Sequence, residues 1–158
     1  MATTIKASTS VPFIYRLTIT ILEPLACIYG TWISFTDPDR LVRYYFTRGA
    51  VATVAPGTET AYTQLGGMWY MFGFYEAVLM PVVNDYHTWR IMCAGMLVSD
   101  IIWLFSAAQG VGGWSQLASP SDWSLGEGTA ILFALWCCTM RILLVLGVGV
   151  KGVKSKGD

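Results

Sequence analysis

Of the 158 residues, 54% are hydrophobic, 14% aromatic and only 13% charged, against roughly one quarter charged in soluble domains. Ten Lys and Arg balance ten Asp and Glu, so neither a nucleic-acid partner nor an acidic tail is expected. What remains is an all-α, polytopic membrane protein built as one domain over residues 1–158.

Residues 1–12 are Ser/Thr-rich, carry Lys6 and end at Pro12, which predicts a short, poorly ordered polar arm. The first predicted span covers 13–35, near the ~20 residues needed to cross hydrocarbon. It lacks a cleavage-type end and is expected to be a retained span rather than a signal peptide. Arg16 lies near its start, where it can snorkel to head groups. Glu23-Pro24 falls near its middle, and a kink is expected there because proline removes a backbone donor and pushes on the preceding turn.

In the connection over 36–63, Thr36 or Asp37 can cap a helix with Pro38 at its first position. The run DRLVRYYFTR predicts a helix in the membrane interface, with Arg40, Arg43 and Arg48 toward head groups and Leu41, Tyr44, Tyr45 and Phe46 partly inserted. The second predicted span, 64–83, sets Glu76 among Trp69, Tyr70, Phe72, Phe74 and Tyr75 and leaves through Pro81 into Asn84, Asp85 and His87. The third, 88–108, contains Asp100, and the short turn between the two makes them antiparallel neighbours. That turn gathers Asn84, Asp85, His87 and Arg90 at one surface, with His87 a secondary candidate for chemistry.

Residues 109–127 are rich in Gly, Ser and Pro and predict a loop on the opposite surface, with Trp114 and Trp123 suited to an aromatic belt. The fourth predicted span, 128–150, carries Arg141, and Lys151, Lys154 and Lys156 follow it. Lys6, Arg16, Arg90 and the tail lysines share one side, against Arg40, Arg43 and Arg48 on the other. The bias predicts cytoplasmic termini, and default insertion predicts the endoplasmic reticulum. Gly66, Gly67, Gly73, Gly95, Gly147 and Gly149 permit close helix approach, within one chain or in a homo-oligomer.

Each predicted span therefore brings one ionisable residue into the apolar region. From the cytoplasmic ends, ~1.5 Å per residue puts Glu23 roughly 15 Å deep, Glu76 roughly 10 Å, Asp100 roughly 18 Å and Arg141 roughly 14 Å. Convergence is the cheapest way to hide four such groups from lipid. With one arginine against three acids, at least one acid is expected to hold its proton near neutral pH. A neutral carboxyl beside an ionised one is a general acid with its conjugate partner nearby, suited to protonating an alkene, epoxide or enol. Glu76, Glu23 and Asp100 are thus the candidate catalytic residues, and Arg141 the group that fixes their charge. Trp69, Tyr70, Phe72, Phe74, Tyr75 and Trp103 are candidates to stabilise a carbocation through their ring faces, with Asn84 and His87 in support. The expected chemistry is cyclisation or double-bond isomerisation of a lipophilic terpenoid, sterol or polyketide-type substrate. The alternative is a lipid-binding or assembly protein whose charges lock helix register.

No cofactor or metal is expected. One histidine excludes bis-histidine haem, and Arg141 would oppose a hard cation among the acids. Cys27, Cys93, Cys137 and Cys138 lie in hydrophobic segments without a C-x-x-C spacing, so neither a disulfide framework nor a redox motif is expected.

The pattern Pro12, Tyr15-Arg16, Glu23-Pro24 and Gly30, followed by an aromatic helix with Glu76, resembles small fungal four-helix membrane proteins encoded beside secondary-metabolite enzymes. In its logic it is similar to the fungal membrane-bound terpene cyclases, where helix-borne acids protonate an epoxide or alkene. That resemblance implies a cofactor-free cyclase. It is similar also to the emopamil-binding type of sterol isomerase, although here no histidine lies mid-helix. A four-span oxygenase of polyketide anthrones matches in size.

Overall fold

The computed structural model describes residues 5–45 and 53–152. In chain order these form α1 (Ala7–Ser10), α2 (Phe13–Thr36), α3 (Pro38–Tyr45), α4 over 59–83, α5 (Tyr86–Gly110), α6 (Trp114–Leu117) and α7 (Leu125–Leu146). Among the described residues the extended pairing is a single antiparallel bridge, Lys6 with Asp85. Among the described residues three helices, α2, α5 and α7, are long and apolar enough to cross a membrane. The second predicted span, 64–83, lies within α4, which matches them in length, but Glu76, Pro81 and the Trp and Tyr residues lower its apolarity.

Local chemistry sets the helix ends. Asp85 caps α5, its carboxylate accepting hydrogen bonds from the Thr88 amide at 2.8 Å and hydroxyl at 2.7 Å. α7 starts at Leu125 rather than at the expected 128, because Ser124 and Glu127 form a reciprocal capping box. It stops at Leu146 rather than 150, where Gly147 takes φ 77° and the Val148 amide donates to Leu143.

In place of a simple kink, α2 contains a π-helical turn, Thr18–Leu22, and α4 contains another, Tyr75–Leu79. Each precedes a proline at the same offset. The carbonyl four residues before Pro24 belongs to Thr20, and that before Pro81 to Ala77, each at the centre of its turn. Proline crowds that carbonyl and supplies no N–H, so the ladder widens. The Glu23 amide then donates to Thr18 and the Met80 amide to Tyr75, five residues back. The two π turns pack against each other.

α2 packs most extensively with α4, and α5 with α7. Glycine permits the first pairing: a Cβ on Gly30 would lie 2.6 Å from the Trp69 ring, and one on Gly66 would lie 2.0 Å from the Ser34 hydroxyl. The main core, including Tyr15, Ile19, Met80, Trp89, Cys93 and Leu144, joins both pairs toward the terminal end. A smaller core of Ala107, Ala108, Val111, Leu117 and Ile131 lies at the other end. Outward faces are apolar, as with Leu25, Ile28 and Trp32 of α2 and Ile101, Ile102 and Phe105 of α5. A protein whose charges face inward and whose hydrophobic side chains face outward is built for lipid surroundings.

Several expectations are corrected. Residues 5–12 are not a loose arm: Ala7 is buried, its amide donates to Asn84, Tyr86 donates to Ile5, and Lys151 to Ser10. The terminal segments and the α4–α5 turn thus form one tied end. Leu41 does not reach outward from α3; Leu41 and Val42 are buried against the bundle, while Arg40 and Arg43 are exposed. Trp123 is half-buried in the smaller core and donates to Leu117, whereas Trp114 is exposed. Phe46, Arg48, Lys154 and Lys156 lie outside the described residues.

Candidate functional site

The buried face of α5 repeats every three and four residues, through Tyr86, Trp89, Cys93, Met96, Asp100, Trp103 and Ala107. Asp100 therefore continues an inward stripe. On α7 the corresponding face carries Ala130, Phe133, Ala134, Cys137 and Arg141, and on α2 it carries Glu23, Cys27 and Gly30. Helical spacing alone places these groups at the bundle centre.

There Arg141, with no exposed surface, binds all three acids. Its Nη1 donates to Asp100 Oδ2 at 2.5 Å, and its Nη2 donates to Glu23 Oε1 at 2.5 Å and to Glu76 Oε1 at 2.6 Å. The Phe72 ring lies 5.7 Å from the guanidinium carbon. Glu23 Oε2, Glu76 Oε2 and Arg141 Nε are buried without a hydrogen-bond partner. One guanidinium faces three carboxyls, so the fully ionised cluster would carry two excess negative charges in a low-dielectric interior. Protonation of one carboxyl halves that excess and also supplies an O–H donor.

The three acids differ in access. Glu23 and Asp100 line a cavity of about 160 Å³, whose walls include Trp69, Phe72, Trp103 and Phe133 together with Ser99, Cys27 and Cys137. Glu76 has no exposed surface and does not line the cavity; it backs Arg141 from within the α4 π turn.

The structure therefore brings together Glu23, Glu76, Asp100, Arg141, Trp69, Phe72 and Trp103, and separates the rest. Tyr70 is 62% exposed and Phe74 43% exposed, both turned outward on α4. Tyr75 packs on the main core instead of the cavity. Asn84 ends α4 with φ 44°, and its Oδ1 accepts from the Ser8 amide at 2.7 Å. His87 is exposed at the start of α5, roughly 20 Å along the helix from Asp100. Asn84 and His87 thus belong to the tied end, not to the ion cluster. Sequence reasoning missed Ser99 and Phe133 and did not assign Gly30, Cys27 or Cys137 to the site, although Phe133 and Cys137 share the face of Arg141, eight and four residues before it. Glu127 was likewise missed: it is buried by its capping role, with Oε2 accepting from the Ser124 amide.

Among the described residues no group of three or more His, Cys, Asp or Glu side chains is arranged to hold a metal ion. The cation that the three acids surround is the guanidinium of Arg141.

Fold and site together define an all-helical chain with membrane-length apolar helices and a buried ion cluster beside an aromatic cavity. The chain belongs to the family described as Domain of unknown function (DUF7704), matched over residues 8–151. No curated protein and no solved structure matches it.

Proposed function

We propose that the chain is a four-span integral membrane enzyme that cyclises or isomerises a lipophilic terpenoid or polyketide-type substrate by acid/base catalysis. The observation that carries this reading is that two Arg141-bound acids, Glu23 and Asp100, form the polar floor of an aromatic-walled cavity. For α4 as the fourth span, the support is its length, ~37 Å at ~1.5 Å per residue, against a ~30 Å hydrocarbon core. Its outward face of Met68, Met71, Phe74, Val78 and Val82 adds to that support. Lys6, Arg90 and Lys151 at the tied end, opposed by Arg40 and Arg43 beyond α2, favour cytoplasmic termini in the endoplasmic reticulum.

In the proposed reaction, one cavity acid breaks its O–H bond to give its proton to an alkene carbon, leaving a carbocation, or to an epoxide oxygen, whose C–O bond then breaks to leave a carbocation and a hydroxyl. A second double bond of the substrate attacks that centre to close a ring, or the charge migrates. Loss of a C–H proton to the conjugate carboxylate restores the acid, so the product has the mass of the substrate. Trp69, Phe72, Trp103 and Phe133 offer ring faces to the cation, each worth ~0.5–2 kcal/mol, and their bulk excludes the water that would quench it. Asp100 and Glu23 are the proton-handling pair, Glu76 is a positioning residue, and Arg141 keeps part of the cluster ionised.

The test is conversion of prenylated and polyketide-type precursors in microsomes, comparing wild type with Asp100→Asn and Glu23→Gln at matched folded protein. A product of unchanged mass that either substitution abolishes is expected. An oxygenated product would replace the reading with an oxygenase. Absence of conversion, with the substitutions altering stability alone, would leave a lipid-binding or assembly protein whose charges lock helix register.

A further inference from the structure

The cavity above Glu23 and Asp100 opens sideways. It shares Ala26, Gly30, Ala130 and Phe133 with an apolar groove of about 370 Å³ between the second half of α2, the first half of α7, and α3. The groove exists because α2 packs on α7 mainly through its first turns and its π turn, while α3 bridges the two helices farther along. Leu41, 3% exposed, closes its far end from α3. Its volume falls within the ~300–1,000 Å³ range of small-molecule sites.

We propose that this groove holds the hydrocarbon tail of a lipid substrate with a small, uncharged reactive end, which enters laterally from the bilayer and meets Glu23 and Asp100. The assignment of the reactive end rests on the enzyme reading; tail binding does not. The depth of the acids selects this occupant. Glu23 follows the start of α2 by ten residues, so the cavity lies ~15 Å into a ~30 Å hydrocarbon layer. A phospholipid seated here would have to carry its charged head group to mid-membrane, at a cost of several kcal/mol. An isoprenoid alcohol, epoxide or quinol has no such head, and its weakly polar end finds hydrogen-bonding groups where the groove becomes the cavity. Polarity rises along the path from Leu25 and Ile33, past Ala26 and Gly30, to the two acids.

The experiment uses the full chain in phosphatidylcholine nanodiscs and two photoreactive probes: farnesol with a chain diazirine, and phosphatidylcholine with the same diazirine on an acyl chain. Crosslinks are mapped by peptide mass spectrometry. The farnesol probe is expected to label the sheltered groove residues Ile33, Leu41 or Phe133, and labelling there should fall about tenfold in Ala130→Trp, a loss of about 1.4 kcal/mol in binding. Thr129→Trp at the exposed groove rim keeps the test valid if Ala130→Trp does not fold, and crosslinks at Ile101 and Ile102 report ordinary lipid contact. Equal groove labelling by the phosphatidylcholine probe, or labelling unchanged in a folded Trp variant, would overturn the proposal. Groove labelling without turnover of any substrate would sink the enzyme reading and leave the groove standing, whereas turnover without groove labelling would do the reverse.

Discussion

Replacing Arg141 by leucine tests the charge logic of the site most directly. The side chain is fully buried and is the shared partner of Glu23, Glu76 and Asp100. Removing it leaves three carboxyls around an apolar gap, and breaking a buried pair by deleting one partner costs ~3–5 kcal/mol. At ~2–4 °C per kcal/mol for a chain of this length, the midpoint should fall by about 6–20 °C. Cys93, Cys137 and Cys138 are free and buried, so a thiol-reactive fluorophore reports their exposure as the protein unfolds in detergent. Arg141→Lys should recover only part of the loss, because Nη1 and Nη2 serve different acids and a single ammonium cannot reproduce that fork. Glu76→Gln, which lowers the excess negative charge, should cost much less than Arg141→Leu, and the double variant Arg141→Leu/Glu76→Leu should regain stability over Arg141→Leu alone. A midpoint for Arg141→Leu within about 2 °C of wild type would refute the reasoning.

Gly30→Ala drives a methyl to within 2.6 Å of the Trp69 ring, so it should cost ~1–3 kcal/mol, while Gly67→Ala meets nothing within 4 Å and should stabilise by ~0.5–1 kcal/mol. Thermal midpoints of the two variants check the sign of each. Ser124→Ala removes the acceptor for the Glu127 amide and should cost ~1 kcal/mol, read as faster amide exchange in the first turn of α7; unchanged exchange would discount the capping box. Hydrogen bonds from Thr88, side chain and backbone, hold the Asp85 carboxyl below its ordinary value of 3.8. Its support of α5 is therefore present above about pH 4 and lost as pH falls through the lower folded value. Amide exchange at the start of α5 should show this acid step in wild type and lack it in Asp85→Asn; the same step in both proteins would assign it to another group.

The apolar helices and the meeting of the four ionisable groups were legible because bilayer physics leaves few choices. A helix must be long and apolar, and charges inside it must find one another. Asp100 could be placed by its three-and-four-residue stripe alone. The aromatic residues could not be sorted so simply: Trp69 and Tyr70 are adjacent, yet one lines the cavity and the other faces outward. Proximity to Glu76 in sequence says nothing about which face a ring occupies. The π turns were also hidden. Each inserts a local break in helical phase, and a mid-helix proline announces a disturbance without specifying whether the helix kinks or widens. The tied end escaped for another reason, since its bonds join Ile5, Ala7 and Ser8 to Asn84 and Tyr86 across nearly eighty residues.

The two prolines bear on whether the cluster is more than a register lock. A lock needs one arginine and one acid, and each additional buried acid raises the desolvation cost. Here three acids meet one arginine, and the two glutamates arrive beside paired π turns that pack on each other. Widened turns of this kind are rare and are found frequently at functional sites. The cost is also distributed unevenly: Glu76 is sealed away, whereas Glu23 and Asp100 border open volume. For a pure lock the same ion cluster would be more stable with that volume filled by side chains, because an aromatic-walled void forgoes dispersion contacts. Small residues instead keep it open, with Ala26, Ala130 and Ala134 lining positions that larger side chains would fill. That combination of excess acid, helical widening and space kept free supports the proposed proton-handling role over a cluster that only holds helices in register.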